Sequence, residues 1–209
     1  MKTDTAVILA SKSPQRKALL EALGIEFDVL LPDYEEEDLP GESPADLVER
    51  HSRGKANSVF SHLSAKFSGS AVLGVDTMVV IDGKALGKAS DEHEALDFLK
   101  RLSGRAHLVY SGLTLLWAGD ASGVIKEKTA HAVTEVRFRP VAEFELESYV
   151  ATGEWRGRAG AYAIQGRASA FVEAIDGDYT NVVGLPVPLL VDMLREWGQW
   201  PPQGWSTGR

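Results

Sequence analysis

The chain has 209 residues, 44% of them hydrophobic and 25% charged, with a formal net charge of -8 at pH 7 and no cysteine. These values are typical of one globular domain with a sizeable core, and the missing cysteines exclude disulfides and thiolate metal sites. The acidic balance argues against nucleic-acid binding, so we expect any phosphate-bearing ligand to be small. No apolar run has the roughly 20 residues of a membrane-spanning helix, and without a signal peptide we expect a cytoplasmic protein.

The first strand and helix form a predicted anion site. Residues 6–10 are a short apolar run suited to a buried strand, and a helix is predicted over roughly residues 14–23, with Ser13 as its cap. The N–H groups and the dipole at a helix start attract anions, so Arg16 and Lys17 there indicate a negative ligand such as a phosphate chain. An ordinary capped helix with a solvated basic face would explain the same residues.

An acidic stretch follows the second predicted strand. That strand covers residues 26–31, and residues 33–42 then contain six acidic side chains. Open α/β sheets bind ligands at strand ends, so one or two of these carboxylates are candidate ligands of a divalent cation, although such runs are usually solvated loops. A second helix is predicted from its cap Ser43 to about residue 61, and it carries Lys55.

The middle of the chain places an acid directly after an apolar strand. Residues 71–75 predict a buried strand that ends at Asp76 and Thr77, and residues 78–86 predict a hairpin that turns at Asp82-Gly83. A lone acid at such a strand end has little structural use apart from capping a backbone N–H. Asp76 is therefore a candidate site residue.

The C-terminal half predicts a long hairpin between helices. A helix opened by Ser90 and followed by Gly104 precedes two β-rich segments, residues 107–117 and 124–139, which the turn residues 119–123 link. The remaining predicted elements are a helix over 141–152, a glycine-rich loop over 157–166, a strand over 170–175 and a final helix over 186–197. Because strands alternate with helices, the predicted fold class is α/β or mixed α+β on a central mixed sheet.

The last residues form a separate predicted segment. Residues 198–209 contain Trp200 and Trp205 among Pro, Gly and Gln. Exposed tryptophans suggest docking onto the body of the protein or onto a partner subunit. A frayed terminus explains the same composition, so both interpretations stay open.

Several separated motifs along the chain match one pattern. They are Ala10-Ser11-Lys12-Ser13-Pro14-Gln15-Arg16 with Leu19-Leu20, the turn over 32–36, Lys55-Ala56, Gly74-Val75-Asp76-Thr77, Leu86-Gly87-Lys88, Leu102-Ser103-Gly104 with His107, the loop over 160–166, and Val182-Val183-Gly184-Leu185-Pro186. In this order, and over nearly the whole chain, they resemble the Maf family of nucleoside triphosphate pyrophosphatases. The resemblance implies a single domain over residues 1–197, followed by the tail over 198–209. It further implies a highly twisted mixed sheet with flanking helices, and two closely packed lobes with a cleft between them.

The resemblance also implies an activity. It predicts a cytoplasmic enzyme, often a homodimer, that hydrolyses a nucleoside triphosphate to the monophosphate and pyrophosphate with Mg²⁺ or Mn²⁺. Asp76 matches the family's proposed proton acceptor, so we expect it to activate water or to bind the metal. Glu35 and Glu36 are the candidate magnesium ligands from the acidic run, because Mg²⁺ uses one or two carboxylates plus phosphate oxygens. Which of the two binds the metal stays open.

The phosphate chain is expected to meet basic and hydroxyl side chains. We assign Arg16 to a bidentate phosphate contact, and Lys55 and Lys88 to catalysis as point charges on the phosphates. Either lysine could instead be an ordinary solvated residue. Ser11 and Ser13 are candidate phosphate donors, although the role of helix cap would use Ser13 fully.

Base selection is expected to involve three residues. In the subgroup of the family that acts on thymidine and uridine triphosphates, Thr77 and Gln165 match the discriminating positions, whereas Gln15 stands where the subgroup has an arginine. A glutamine amide can hydrogen-bond a pyrimidine edge but lacks the charge and fork of arginine. We therefore expect dTTP, UTP or a modified pyrimidine nucleotide as substrate, with broader specificity as an open alternative.

Two functions of other classes stay open at this stage. The family is associated with arrest of cell division, so a nucleotide-binding regulator of division or septum formation with little catalysis is the first. A structural interaction protein that uses the tryptophan-bearing tail is the second. In the enzyme, by contrast, the reaction would serve as housekeeping of the nucleotide pool.

Overall fold

The computed structural model describes residues 7–37, 39, 41–63, 70–118, 125–200 and 202. The elements in chain order are β1 (Val7–Ala10), α1 (Pro14–Ala22), β2 (Phe27–Val29), α2 (Pro44–Phe60), β3 (Ala71–Ile81), β4 (Lys84–Leu86), α3 (Glu92–Leu102), β5 (Ala106–Ala118), β6 (Ile125–Phe138), α4 (Glu143–Ala151), a 3-10 helix (Arg167–Phe171), β7 (Val172–Asp176), α5 (Tyr179–Val183) and α6 (Val187–Glu196). None of these helices is both long and apolar enough to cross a membrane.

Seven strands form one mixed sheet. Its order is β2-β1-β3-β5-β6-β7, and β4 pairs with β3 outside this path. The strands β2, β1 and β3 run parallel, whereas β3, β5, β6 and β7 pair antiparallel. Helices flank this sheet, which confirms the predicted mixed α/β class. The buried apolar residues divide into one cluster around α3 and α4, a second around α1 and α6, and a third beneath α2.

The central strand β3 changes its partner along one edge. Its first part, Ala71 to Gly74, pairs with β1, and its last part, Val79 to Ile81, pairs with β4. Between them, residues 75–78 have no strand partner on this edge among the described residues, although the other edge pairs with β5 throughout. The prediction that the strand ends at Asp76 was therefore wrong. Pairing with β5 is non-local, so the sequence pattern did not contain it.

Helix α2 lies directly against the backbone of the sheet. A Cβ atom at Gly74 would come within 2.1 Å of the carbonyl oxygen of Ser52, and one at Gly112 within 2.0 Å of that of Val48. Only glycine leaves room for so close an approach. Because α2 rests on β3 and β5 in this way, Lys55 on its underside reaches β3.

Several local details differ from the sequence-based expectations. Helix α3 is capped by Asp91, whose side chain accepts the N–H of Glu94, and Ser90 instead donates to the carboxylate of Glu94. The short helix α5 was not predicted, although Asp178 caps it. In the tail, Trp200 packs against the cluster around α1 and α6, as expected for docking onto the body. Trp205 and the turn over 119–123 lie outside the described residues.

Candidate active site

A cavity of about 1080 Å³ opens at the edge of β3 that lies between β1 and β4. Its wall contains every site residue expected from the sequence except Glu35, namely Ser11, Ser13, Gln15, Arg16, Glu36, Lys55, Asp76, Thr77, Lys88 and Gln165. These residues come from the β1–α1 connection and the start of α1, the acidic turn (residues 33–37), α2, β3, the segment just after β4 and the loop over 160–166. The fold thus brings distant segments of the chain together around one cavity.

One ammonium group links two carboxylates in this cavity. The Nζ atom of Lys55 lies 2.6 Å from Oδ1 of Asp76 and 2.6 Å from Oε1 of Glu36. Lys55 and Asp76 are each only 8% exposed, whereas the Glu36 side chain is 46% exposed. A buried carboxylate paired in this way escapes much of the cost of desolvation.

The charge state of Asp76 follows from its surroundings. Burial would raise the pKa of its carboxyl, but the attraction and hydrogen bond of Lys55, helped by Arg16 and His51, outweigh burial. The pKa of Asp76 therefore lies below its usual value, and the group is ionised at neutral pH. It can accept a proton from water or bind a cation.

Arg50 and Ser58 on α2 hold the acidic turn. The guanidinium of Arg50 bonds the Glu42 carboxylate at 2.6 and 2.8 Å and the carbonyl oxygen of Glu37 at 2.7 Å. The Ser58 hydroxyl accepts the N–H of Asp33 at 2.8 Å and donates to its carbonyl oxygen at 3.0 Å. The turn that carries Glu36 is thus tied to α2 at both of its ends.

An aromatic contact fixes the same turn between those ends. A Cβ atom at Gly54 would lie 2.2 Å from the ring of Tyr34, so only glycine lets this ring rest on α2. The Tyr34 hydroxyl lies 3.1 Å from Nδ1 of the buried His51, and both residues line the cavity. Tyr34 thereby fixes the position of the next two residues, Glu35 and Glu36, and of these two only Glu36 lines the cavity.

The structure distinguishes between the two candidate metal ligands. Glu35 is exposed and lies outside the cavity wall, which leaves Glu36 as the acid of the turn beside Asp76. No cluster of three or more acidic or histidine side chains suited to a metal ion occurs in the described ranges. Two carboxylates together with substrate phosphate oxygens are nevertheless a donor set that Mg²⁺ uses. Glu36 and Asp76 therefore fit a divalent cation that arrives with a phosphate ligand.

The guanidinium of Arg16 is hydrogen-bonded to several separate segments of the protein. Its Nε donates to the carbonyl oxygen of Gly184 at 2.8 Å, and Nη1 donates to the carbonyl oxygen of Val75 at 2.9 Å and to Oγ of Ser11 at 3.0 Å. Nη2 donates to Oγ1 of Thr77 at 3.1 Å. Four of the five N–H donors of a guanidinium are thus engaged. The expected bidentate phosphate contact stays a prediction, because it would need at least one of these hydrogen bonds to be exchanged for one to a phosphate oxygen.

The start of α1 also differs from expectation. Ser13 occupies the cap position, but its side chain makes no cap hydrogen bond and donates instead to Oε1 of Gln15 at 3.0 Å. Its own N–H donates to Oγ of Ser11 at 3.2 Å. Of the lysines near the helix start, Lys12 lines the cavity and Lys17 does not.

The opposite wall carries Lys88 and the loop of Gln165. Both side chains are exposed toward solvent and line the cavity. Lys88 pairs with Ala159 in an isolated antiparallel bridge. The hydroxyl of Tyr149 accepts the N–H of Ala163 at 2.9 Å, which anchors the loop to α4. The backbone that presents Gln165 is therefore held by contacts from outside the loop.

The cavity wall is strongly cationic. Among the described residues it contains six cationic side chains (Lys12, Arg16, Lys55, Lys88, Arg156 and Arg158) and two acidic ones (Glu36 and Asp76), a formal excess of four positive charges. The whole chain has a net charge of -8. The sequence analysis did not assign Lys12, Arg156 and Arg158 to the site. Each of them is a basic residue inside or near one of the recognised motifs, and that position was the signal that could have identified them. Such a concentration of charge selects a polyanionic ligand.

Comparison with known proteins agrees with the motif pattern. The family model described as "Maf-like protein" matches residues 6–197. A protein of Symbiobacterium thermophilum named dTTP/UTP pyrophosphatase is 47% identical over 192 residues, which cover 92% of this chain and 94% of that protein. Proteins of the same name from Pelotomaculum thermopropionicum and Geobacter metallireducens are each 43% identical, over 92% and 95% of this chain and over 96% and 99% of their own lengths. The chain therefore belongs to the Maf family.

Proposed function

We propose that this protein hydrolyses a nucleoside triphosphate between the α and β phosphorus atoms and releases the monophosphate and pyrophosphate. The observation that carries the proposal is the cationic cavity of an acidic protein, with the ionised Asp76 at its base. The name shared by the relatives supports dTTP and UTP as substrates. Such a reaction would remove unwanted or modified nucleotides from the pool.

The residues divide the chemistry between them. The Asp76 carboxylate accepts a proton from water while the water oxygen bonds to the α phosphorus. The bond from that phosphorus to the bridging oxygen breaks, and its electron pair leaves with the pyrophosphate. Lys55, which already contacts Asp76, and Lys88 on the opposite wall balance the charge that develops on the phosphate oxygens. Arg16 holds β1, β3 and the end of α5 in place around the reacting groups.

A divalent cation belongs to this proposal. Glu36 and Asp76 would hold Mg²⁺ or Mn²⁺ together with phosphate oxygens of the substrate, and the bound ion would neutralise part of the triphosphate charge. Both carboxylates contact Lys55, so the protein's own cation keeps them close together before a ligand binds.

Base selection is assigned to amide side chains. The hydroxyl of Thr77 accepts from Arg16 and lies 2.9 Å from Oγ of Ser111, so it orients its neighbours. Gln15 uses its Oε1 atom for Ser13 and keeps its amide N–H groups for a ligand. Gln15 and Gln165 thus offer donors and acceptors to the edge of a pyrimidine. The family resemblance also supports the proposal that the protein is a cytoplasmic homodimer.

A panel of nucleoside triphosphates tests the proposal. The purified protein is assayed for pyrophosphate and orthophosphate release from canonical and methylated nucleotides, with and without Mg²⁺ or Mn²⁺. We expect metal-stimulated release of pyrophosphate, fastest from dTTP and UTP. Orthophosphate as the first product would contradict the assigned bond. Nucleotide binding without turnover across the whole panel would favour a regulator instead.

A further inference from the structure

Two cations on one wall of the cavity have no acidic partner among the described residues. Lys88 lies just after β4 and Arg158 in the turn before the loop over 160–166, and both line the cavity. Arg156, two positions earlier, differs from them. Its guanidinium stacks 4.5 Å from the ring centroid of Trp155 and lies 3.5 Å from the Glu92 carboxylate. The charge of Arg158, with no acidic partner in the described part of the chain, is thus available to a ligand.

The backbone holds the two segments that carry these cations next to each other. Lys88 pairs with Ala159, the residue that directly follows Arg158, in an antiparallel bridge. The N–H of Gly160 then donates to the carbonyl oxygen of Gly87 at 3.0 Å. These main-chain hydrogen bonds order the backbone of both segments before a ligand binds, so that binding has to order only the two side chains.

The two walls of the cavity differ in charge. The wall from the start of α1 presents one exposed cation, Lys12, beside the side chains of Ser13 and Gln15, and Arg16 there is engaged by the protein itself. The two acids of the cavity both contact Lys55. The wall of Lys88 and Arg158 thus carries two cations without an acidic partner among the described residues, against one at the start of α1, so it should take the more highly charged part of a nucleotide.

We propose that Arg158 acts with Lys88 to bind the two phosphate groups that leave as pyrophosphate, an inference that rests on the proposed function. Pyrophosphate carries more negative charge than the nucleoside monophosphate, so it matches this wall. The planar guanidinium can donate two parallel N–H bonds to phosphate oxygens, and the ammonium adds a mobile point charge. Both groups would also stabilise the charge that builds on the leaving oxygen as its bond to phosphorus breaks.

Binding measurements with the separate products test this assignment. Isothermal titration calorimetry in the presence of Mg²⁺ compares inorganic pyrophosphate, dTMP and a non-hydrolysable α,β-methylene analogue of dTTP. For Arg158→Ala we expect roughly tenfold weaker binding of pyrophosphate and of the analogue, because hydrogen bonds between charged groups are lost, and unchanged binding of dTMP. Arg158→Lys should restore part of the affinity. Lys84→Ala, which removes an exposed cation of β4 outside the cavity wall, is the control and should bind like the wild type.

Three outcomes would overturn the inference. Unchanged pyrophosphate affinity in Arg158→Ala would show that this side chain is merely solvated, and an equal loss for dTMP would move it to the α phosphate. If Arg158→Ala fails to fold by circular dichroism, Arg158→Gln takes its place with the same expectations. In either case an active wild-type enzyme leaves the proposed function standing. A wild type that releases no pyrophosphate from any nucleotide would reject the proposed function and this inference together.

Discussion

The ammonium of Lys55 and the carboxylate of Asp76 lie 2.6 Å apart and are both buried. Lys55 belongs to α2 and Asp76 to β3, so this contact joins a helix to the sheet beneath it. Removing one partner of such a pair strongly destabilises the folded protein, because a buried charge is then left without compensation. Here Glu36 also contacts Lys55, which limits that penalty. The same contact serves the packing of α2 and the chemistry of the cavity.

The substitution Asp76→Asn should abolish most of the activity without unfolding the protein. An amide cannot accept the proton of the attacking water, so we expect pyrophosphate release to fall by roughly 100-fold or more. Lys55 keeps its bond to Glu36, and the circular dichroism spectrum should stay unchanged. Asp82→Asn is the matched control, since Asp82 is an exposed acid at the end of the same strand and its positive φ of 52° suits Asn. Near wild-type turnover in Asp76→Asn would exclude Asp76 as the proton acceptor.

The substitution Gly112→Ala should lift α2 from the sheet. The added Cβ atom would lie 2.0 Å from the carbonyl oxygen of Val48, so the helix has to move. We expect the free energy of unfolding to fall by about 1–3 kcal/mol in urea titrations, and the activity to fall because Lys55 moves away from Asp76. In Gly87→Ala the new Cβ atom meets no atom within 4 Å, and its stability should stay within about 0.5 kcal/mol of the wild type. Equal stability of the two variants would contradict this account.

The substitution Arg50→Ala should weaken metal use through Glu36. It removes the bonds to Glu42 and to the Glu37 carbonyl, so the acidic turn holds Glu36 less firmly beside Lys55, although Asp33 and Tyr34 still contact α2. Loss of such outer contacts commonly lowers metal affinity by roughly tenfold or more, so the Mg²⁺ concentration for half-maximal pyrophosphate release should rise accordingly. Arg53→Ala on the same helix, whose partner Glu127 is far from the turn in sequence, should keep the wild-type value. Identical Mg²⁺ dependence of the two variants would show that Arg50 does not position Glu36.

His107 should make the stability depend on pH. Burial lowers the pKa of His107 from 6.5 to about 4, and its Nε2 atom lies 3.0 Å from the hydroxyl of Tyr162. Between these two values the unfolded chain binds a proton that the folded chain does not. The contribution of His107 to the free energy of unfolding is therefore fully present above pH 6.5 and is lost as the pH is lowered toward 4, by about 3 kcal/mol in total.

The variant His107→Gln tests this dependence. It cannot take up the proton, so urea titrations across the same interval should give a shallower decrease of the free energy of unfolding than in the wild type. His93→Gln, which replaces an exposed histidine of α3, should leave the wild-type slope unchanged. A His107→Gln slope as steep as that of the wild type would assign the acid sensitivity to other groups.

Local signals in the sequence were sufficient for most elements. The helix predicted from the cap Ser43 to about residue 61 is α2, and its cap accepts the N–H of Asp46 as expected. The hairpin turn at Asp82-Gly83 has the positive φ angles that this dipeptide favours. The capping of α3 was shifted by one residue, because Ser90 and Asp91 are both good caps and only the bond to Glu94 distinguishes them.

For the candidate site, too, some features follow from the sequence and others only from the tertiary structure. The amino-acid sequence by itself determined the family, the order of strands and helices and the residue types that line the cavity, because caps, turns and motifs act over a few neighbouring residues. Only the tertiary structure decided that the guanidinium of Arg16 donates its hydrogen bonds to Ser11, Val75, Thr77 and Gly184. It also decided that Glu36 rather than Glu35 contacts Lys55. Those outcomes depend on distances between segments far apart in the chain, which are set when α2 and β5 close on β3 and not by any local preference.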